Sequence, residues 1–415
     1  MIRQLTIERF KSLIKLDLEL GRINVFIGAN GSGKSNILEA VGVLGSGASG
    51  RVDDEALQHR GVRPGVPRLY RSAFASPTSN ASIFLNATSK ADAKFDVTLR
   101  NPKNDSVAPW HYQNEKLTSP TAPGKPVVSR TFDKGKGLNP EQGLAALATV
   151  SLTADDPALA LMDTLRNYAI YSPNTPALRG LTADMQTREP VGLAGGRLPE
   201  ALDELATAAA KNQKIAAMLE EVRELIDWAS DFSAAPSIGL PLSPSAARSR
   251  MVVKFEDRYM AKDRNVLTGY DASEGALYIL YCAVLALHPK APRCLAVDNI
   301  DQALNPLLAR RLMAALCSWT KRLNGDRQWL MTAHNPAILD GLPLTDPEVR
   351  LFTVDRTNKG HTAVRRIDLQ SALKARPSEE WTLSRMWMNG LLGGGAECLS
   401  RSALPWSPKD LPTES

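Results

Sequence analysis

The sequence predicts an α/β fold with a mixed central sheet, an antiparallel β subdomain and an inserted helical lobe. The short apolar run Ile23–Ile27 is typical of a buried strand, and it leads through a glycine-rich loop into a helix pattern. Alternating apolar and polar residues in the first twenty positions indicate antiparallel strands. From residue 274 onwards, helix-length and strand-length apolar segments follow one another, as expected for a sheet covered by helices.

Local patterns place the elements along the chain. Predicted strands cover 5–20, 23–27, 82–87, 95–99, 251–255, 294–297 and 329–332, with a hairpin at 349–366. Predicted helices cover 35–44, 274–287 and 306–323, and the 141–228 region is helical in pattern. Segments 101–136 and 234–249 are rich in proline and serine and are expected to be loops. The resulting regions are an N-terminal half of the core (1–104), a helical insertion (105–250), a C-terminal half of the core (251–370) and a helical tail (371–415).

Composition excludes several classes of protein. Hydrophobic residues make up 43% of the 415 residues and charged residues 23%, which is typical of globular proteins and not of disordered or fibrous ones. The net charge of +6 permits an acidic partner such as nucleic acid but does not require one. No apolar run reaches the roughly 18 residues of a membrane helix. The four cysteines have no metal-ligand spacing, so we expect reduced thiols and a cytoplasmic location.

The strongest motif is a phosphate-binding P-loop that spans Gly28–Ser35. Its glycines allow backbone N–H groups to face a phosphate, and the motif stands between a strand and a helix, as the mechanism requires. We expect Lys34 to reach the β- and γ-phosphates of ATP, and the Ser35 hydroxyl to ligate Mg²⁺. The loop residues expected to bind nucleotide are Asn30, Gly31, Ser32, Gly33, Lys34, Ser35 and Asn36.

Two further candidates follow buried strands. Asp298 ends the strand 294–297 and is a candidate Mg²⁺ ligand, and His334 follows the next strand, where a γ-phosphate sensor would lie. A lone histidine is more often structural, and only the order of the motifs favours a role in the site.

A third candidate is Ser273-Glu274-Gly275, at the start of the apolar helix 274–287. A helix N-terminus offers free N–H groups and a positive dipole to an anion. An ordinary N-cap explains this fragment equally well when it is taken alone.

The order of these motifs resembles that of the ABC-type ATPase heads of the SMC, RecF and OLD group, especially compact bacterial AAA-family ATPases without coiled coils. The opening 7–12, "IERFKS", and the stretch 28–40, "GANGSGKSNILEA", are similar to that group's motifs. The resemblance implies a P-loop NTPase fold and a homodimer that sandwiches two ATP molecules. It also implies that Ser273 and Gly275 contact the γ-phosphate held by the other subunit, that Asp298 is the Walker B aspartate and that His334 is the switch histidine. Lys11 is similar to a basic residue that approaches the nucleotide.

The sequence departs from this family after Asp298. The family's usual glutamate, which polarises the attacking water, is replaced by Asn299, and an amide cannot accept that proton. Asp301 retains a carboxylate two residues further on. We therefore expect Asp298, Asn299, Asp301 and His334 to form the catalytic group and hydrolysis to be slow. The alternative is that Asp301 supplies the missing base.

Two functions remain open at this point. The chain is either a slow ATPase switch that senses DNA or phage components and controls a partner nuclease or toxin in defence or DNA repair, or a hydrolysis-deficient scaffold that restrains a partner protein. A P-loop kinase or GTPase would leave Ser273-Glu274-Gly275 unexplained. DNA contact through Arg248, Arg250, Lys254 and Arg258 competes with a solvated surface, because Glu256 and Asp257 lie in the same stretch.

Overall fold

A computed structural model describes residues 1–74, 82–100, 110–131, 137–242, 250–323, 327–368, 370 and 381–393. The strands are β1 Ile2–Phe10, β2 Leu13–Glu19, β3 Ile23–Ile27, β4 Ser82–Ser89, β5 Lys94–Arg100, β6 His111–Thr118, β7 Val128–Arg130, β8 Ile170–Tyr171, β9 Ala229–Pro236, β10 Met251–Asp257, β11 Val266–Thr268, β12 Cys294–Val297, β13 Gln328–Ala333, β14 Val349–Arg356 and β15 Thr362–Ile367. The helices are α1 Lys34–Ala48, α2 Asp54–Gln58, α3 Leu144–Ala148, α4 Pro157–Arg166, α5 Thr175–Leu178, α6 Leu198–Lys211, α7 Gln213–Leu225, α8 Glu274–Leu287, α9 Pro306–Arg322 and α10 Leu383–Met388. Short 3₁₀ turns cover Pro67–Leu69, Thr149–Ser151 and Pro336–Gly341.

The central sheet is mixed and has the order β15-β14-β3-β13-β12-β8. Strands β14, β3, β13, β12 and β8 run parallel, and β15 pairs antiparallel with β14. Because β3, β12 and β13 are parallel, their carboxyl ends meet at one edge of the sheet, and the loops that follow them form a common site.

An antiparallel six-stranded sheet, β2-β1-β4-β5-β6-β7, lies beside the central sheet, and a smaller sheet has the order β11-β10-β9. Alternation along the central strands divides the core in two. Val25 and Ile27 belong to one hydrophobic cluster with α6–α9, whereas Phe26 belongs to a second cluster with α1, α4 and the antiparallel sheet. Helix α8 is buried on all sides from Ala276 to Leu287, which explains why its apolar run is continuous.

The predicted mixed sheet, antiparallel subdomain and inserted helices are confirmed. The expectation of a loop throughout 101–136 was wrong for β6 and β7, which complete the antiparallel sheet. The alternation of β6 is obscured by Glu115, a buried carboxylate whose oxygens accept hydrogen bonds from the backbone N–H groups of Leu144 (2.7 Å) and Ala145 (2.8 Å). Strand β8 was also missed, because two residues are too short to show a period.

Several other predictions concern parts of the chain that are only partly described. Cys282, Cys294 and Cys317 are buried free thiols, as expected for reduced cysteines, while Cys398 lies outside the described residues. Of the predicted tail 371–415, the described part 381–393 contains α10, and Met386 is fully buried in the core. Within the described ranges, no helix combines the length and the apolarity needed to cross a bilayer.

Candidate functional site

The P-loop connects β3 to α1 and curls tightly at its glycines. Gly33 caps α1 with φ +111°, and a Cβ atom built on it would lie 2.1 Å from Thr362 Oγ1 on β15. Only glycine fits this position, because a side chain would suffer both the strained backbone angle and the collision. Asn30 and Gly31 form the exposed tip of the loop, and Arg356 Nε donates to Gly31 O at 2.8 Å.

Hydroxyl groups hold the loop against the edge of the central sheet. Thr362 Oγ1 donates to Ser32 O at 2.6 Å and lies 2.7 Å from Ser12 Oγ, which accepts from Asn36 Nδ2 at 2.8 Å. Since Thr362 has one hydroxyl proton and gives it to the carbonyl, Ser12 must donate to Thr362. The P-loop is thereby tied to β15 and to the β1–β2 turn.

Lys34 is folded back onto the loop that precedes it. Its Nζ donates to Gly28 O at 2.8 Å and to Ala29 O at 3.0 Å, and its side chain is buried. Burial lowers the pKa of Lys34 to about 8, although the charges of Asp298 and Asp301 act in the opposite direction.

Ser35 and Asp298 meet across the sheet edge. Ser35 Oγ lies 3.2 Å from Asp298 Oδ1 and 3.0 Å from Oδ2, and Thr332 Oγ1 donates to Oδ1 at 2.5 Å. Thr332 Oγ1 in turn accepts a hydrogen bond from Asn299 N at 2.8 Å. The carboxylate is thus oriented by hydroxyls from α1 and β13, and oxygen donors of this kind suit Mg²⁺.

Asn299 begins a turn in which its own backbone is left-handed, with φ +59°. Its N–H is bound to Thr332, and its carbonyl oxygen accepts from Tyr278 Oη on α8 at 2.6 Å. Among the described residues, the Asn299 side chain has no hydrogen-bonding partner. The backbone is therefore fixed while the amide remains available at the edge of the site.

Asp301 stabilises the loop that contains His334. Its Oδ2 accepts from the backbone N–H of His334 at 2.6 Å and from that of Asn335, and the residue is only 8% exposed. His334 is exposed to solvent, but the protein around it partly desolvates its imidazole, and this desolvation together with the nearby Lys34 charge lowers its pKa. The imidazole is therefore mainly neutral at pH 7.

The exposed start of α8 lies beside the turn that follows Asp298, and it makes no described hydrogen bond to the P-loop. The Ser273 side chain accepts from Ala276 N at 3.3 Å as an N-cap, and a Cβ on Gly275 would lie 3.3 Å from Ala303 O. Within the described chain, neither Ser273 nor Gly275 contacts its own P-loop through a hydrogen bond. The preceding loop is held by Arg179 Nη2, which donates to Ala272 O at 3.0 Å, and Thr175 Oγ1 donates to the Glu274 carboxylate.

The Lys11 ammonium forms an ion pair with a carboxylate of α1. Its Nζ pairs with the buried carboxylate of Glu39 and lies 4.9 Å from the centre of the Tyr70 ring. Glu39 also accepts from Arg63 Nε at 2.5 Å. Burial lowers the pKa of Lys11, and the Glu39 charge opposes this. No described hydrogen bond links the Lys11 ammonium to the P-loop.

Sequence reasoning brought together the residues that carry the motif and missed those that orient them. Thr332 and Tyr278 belong to a strand and a helix whose apolar pattern signals only burial, and Thr362 begins a strand that is largely exposed. Their hydroxyl contacts depend on which strands are neighbours, so no local signal could have revealed them. Arg63 stands in a segment without regular periodicity, so its ion pair with Glu39 could not be predicted. Glu39 itself is visible in the sequence only as part of the "LEA" that follows the P-loop.

Comparisons with known proteins bear on the fold that carries these residues. Residues 4–154 match a family described as an AAA domain, which is less than half of the chain. A stretch of 49 residues is 51% identical to the DNA replication and repair protein RecF of Glaesserella parasuis serovar 5 (strain SH0165), and it covers 12% of this chain and 14% of that protein. An SMC head crystallised with the C-winged helix domain of ScpA aligns with 90% of this chain and 99% of its own, at 15% identity and a TM-score of 0.52. The chain has the fold of an SMC/RecF-like ATPase head.

The predicted resemblance to the SMC and RecF group of ATPase heads is therefore confirmed. A second SMC head, from Pyrococcus furiosus and bound to the C-terminal domain of ScpA, covers 90% of this head and 98% of its own chain at 13% identity, with a TM-score of 0.48. The head spans only a small part of the curated RecF protein, so the activity and partners of RecF are not transferred to it.

Proposed function

We propose that this head binds ATP and acts as a slow switch, as a homodimer that sandwiches two ATP molecules. The observation that carries the proposal is the contact of Ser35 Oγ with both carboxylate oxygens of Asp298, two residues 263 positions apart in the chain. A P-loop serine and a strand-end aspartate held together in this way are the arrangement that a nucleoside triphosphatase requires.

The residues present fit Mg²⁺ and ATP. A hydroxyl and a carboxylate are hard oxygen ligands, and Ser35 and Asp298 would hold the ion, which neutralises phosphate charge when bound. The buried Ser32 hydroxyl has no partner within the described chain and lies in the loop that would surround the phosphates. Lys34 would exchange the carbonyl oxygens of Gly28 and Ala29 for phosphate oxygens, which also compensate its buried charge.

The start of α8 supports a role between subunits. Ser273 is exposed at the start of a long helix, so the N–H groups of the first turn are accessible to the γ-phosphate of another copy. Arg179 and Thr175 would keep this turn in place through their contacts with Ala272 and Glu274.

Slow hydrolysis follows from the groups around Asn299. The amide can orient a water molecule but cannot take its proton. Asp301 is a poor substitute, because its carboxylate already accepts two backbone N–H groups from the His334 loop. In this proposal Asp301 positions His334, and the ATP-bound dimer persists.

A partner effector, a nuclease or toxin controlled in DNA repair or defence, extends the proposal. One relative is a DNA replication and repair protein, and an SMC head of similar fold was solved with a domain of ScpA. DNA contact at the β10 region has mixed support. Lys254 pairs with Glu256 at 2.7 Å, Arg258 donates to Ala229 O at 2.9 Å, and Arg248 lies outside the described residues.

The test is the molar mass of the head in solution, measured by light scattering with and without Mg²⁺–ATP. We expect the mass to double with ATP, and Ser273→Arg to prevent doubling, because the large side chain covers the α8 N-terminus. Ser233→Arg, on an exposed position of β9, is the matched control and should dimerise normally. Dimers that form equally well without ATP, or with Ser273→Arg, would refute the sandwich.

The second candidate function is a hydrolysis-deficient scaffold. It is favoured because position 299 holds asparagine and not the glutamate that would act as a base. It predicts ATP-dependent dimers that consume no ATP over hours, with or without DNA. Measurable phosphate release per dimer over that time would instead favour the slow switch.

A further inference from the structure

A polar pocket of 770 Å³ lies at the opposite end of the central sheet from the P-loop. It is formed by His59, by α4 and the residues that flank it, by the 187–189 segment and by the 289–293 segment that precedes β12. Arg293 at the pocket and Asp298 at the candidate ATP site are separated by five positions along β12, which corresponds to about 16 Å of strand. The pocket is thus a separate site, and its volume falls within the range of small-molecule sites.

Arginines in this pocket have no carboxylate partner. Arg188 donates from Nη1 to His59 O at 3.0 Å and from Nη2 to Asn167 O at 2.7 Å. Within the described chain neither Arg188 nor Arg293 forms an ion pair, and Arg293 is exposed at the pocket wall. The guanidinium of Arg188 has five N–H groups, of which these carbonyls use two, so donors remain for a ligand.

The pocket also has a local excess of positive charge. Burial lowers the pKa of Arg188, and burial together with the charge of Arg188 lowers the pKa of Arg60 to about 10. The pKa of His59 is lowered by burial and by the same two arginines. Cations that are buried without a counter-charge are costly, and an anion that binds beside them is favoured.

The nature of the anion follows from the shape and charge of the walls. An extended nucleic-acid backbone needs a continuous row of cations, but Asp163 and Glu189 interrupt the pocket lining, and Lys290 is already paired with Glu189 at 3.2 Å and Glu204 at 3.0 Å. A compact phosphate group needs no such row, because a guanidinium group binds phosphate through two parallel hydrogen bonds, and Arg188 and Arg293 both line the pocket without a carboxylate partner in the described chain. We propose that this pocket binds a small phosphorylated molecule through Arg188 and Arg293.

The experiment is isothermal titration of pyrophosphate and of AMP into the full chain carrying Lys34→Met, which removes the P-loop lysine from the measurement. We expect binding to weaken about ten-fold or more with either Arg188→Gln or Arg293→Gln, because each loses a hydrogen bond to a charged group. Arg264→Gln, on an exposed hairpin far from the pocket in sequence, is the control and should change nothing. A thermal melt of each variant shows whether it is folded.

Several results would overturn the proposal. The first is that neither probe binds, and the second is that both arginine variants bind as well as the parent chain. The third is that the chain with Lys34 intact binds the probes and the Lys34→Met chain does not, because the anion would then belong to the P-loop. Binding of an oligoglutamate peptide in place of both phosphates would also overturn it. If Arg188→Gln fails to fold because its bonds to His59 and Asn167 are lost, Arg293→Gln decides, since the Arg293 side chain makes no hydrogen bond or ion pair within the described chain. Preference for AMP over pyrophosphate would identify a nucleotide, and the reverse preference a simple polyphosphate.

Discussion

Replacement of Asn299 by glutamate is the most informative perturbation of this head. The new carboxylate stands after the Asp298 strand end and can accept a proton from water. A general base contributes about 10²–10⁴-fold, so the barrier should fall by about 2.7–5.4 kcal/mol. The backbone sets an opposing cost. Asn299 has φ +59° and is held by hydrogen bonds to Thr332 and Tyr278, and a residue other than glycine or asparagine in this left-handed region costs about 1–2 kcal/mol.

Asn299→Gln is the matched control, because it has the length and the backbone cost of glutamate without its basicity. We expect both variants to melt at a lower temperature than the original chain, and only Asn299→Glu to hydrolyse ATP faster. Steady-state phosphate release at saturating Mg²⁺–ATP measures the rate, and a thermal melt measures the stability. The reasoning is refuted if the unmodified chain already turns over at the roughly 10 s⁻¹ of a median enzyme and glutamate adds nothing.

Three further predictions concern neighbouring residues. Asp301→Asn should lower the melting temperature through weaker hydrogen bonds to the His334 loop and change the rate per folded molecule by less than about ten-fold, whereas complete loss of turnover in a folded variant would make Asp301 the base. Gly33→Ala should abolish binding of a fluorescent ATP analogue, because its Cβ collides with Thr362. Gly31→Ala, at φ +76° but with open space around its Cβ, should be modestly less stable and still bind the analogue. An equal loss of binding in both variants would contradict this. The nucleotide-free chain should gain stability relative to Lys34→Met as the pH rises from about 8 to 10.5, since the unfolded chain still holds the lysine proton that the folded chain has released. Melting curves across this range measure the difference, and a flat difference would count against the buried charge of Lys34.

Some residues of the candidate site could be predicted from local sequence patterns and others could not. The P-loop, Asp298 and His334 could be found because each occupies a fixed place after an apolar strand, and local alternation predicts those strands. Lys11 is predicted to approach the nucleotide, and the structure adds that its ammonium pairs with Glu39, a buried partner 28 residues away. That pairing depends on the packing of the β1–β2 turn against α1, which no local pattern records.

The sequence alone was sufficient for the class of fold and for naming the candidate ligands of phosphate and a divalent cation, because both depend on residue type and on spacing within short segments. Only the tertiary structure decided which groups are already engaged. It joins Ser35 to Asp298, commits Asp301 to the His334 loop, and leaves Arg188 and Arg293 without a counter-charge at the other end of the sheet. The physical reason is that hydrogen bonding and burial are properties of neighbours in space, and here those neighbours, such as Ser35 and Asp298, can be 263 residues apart in the chain.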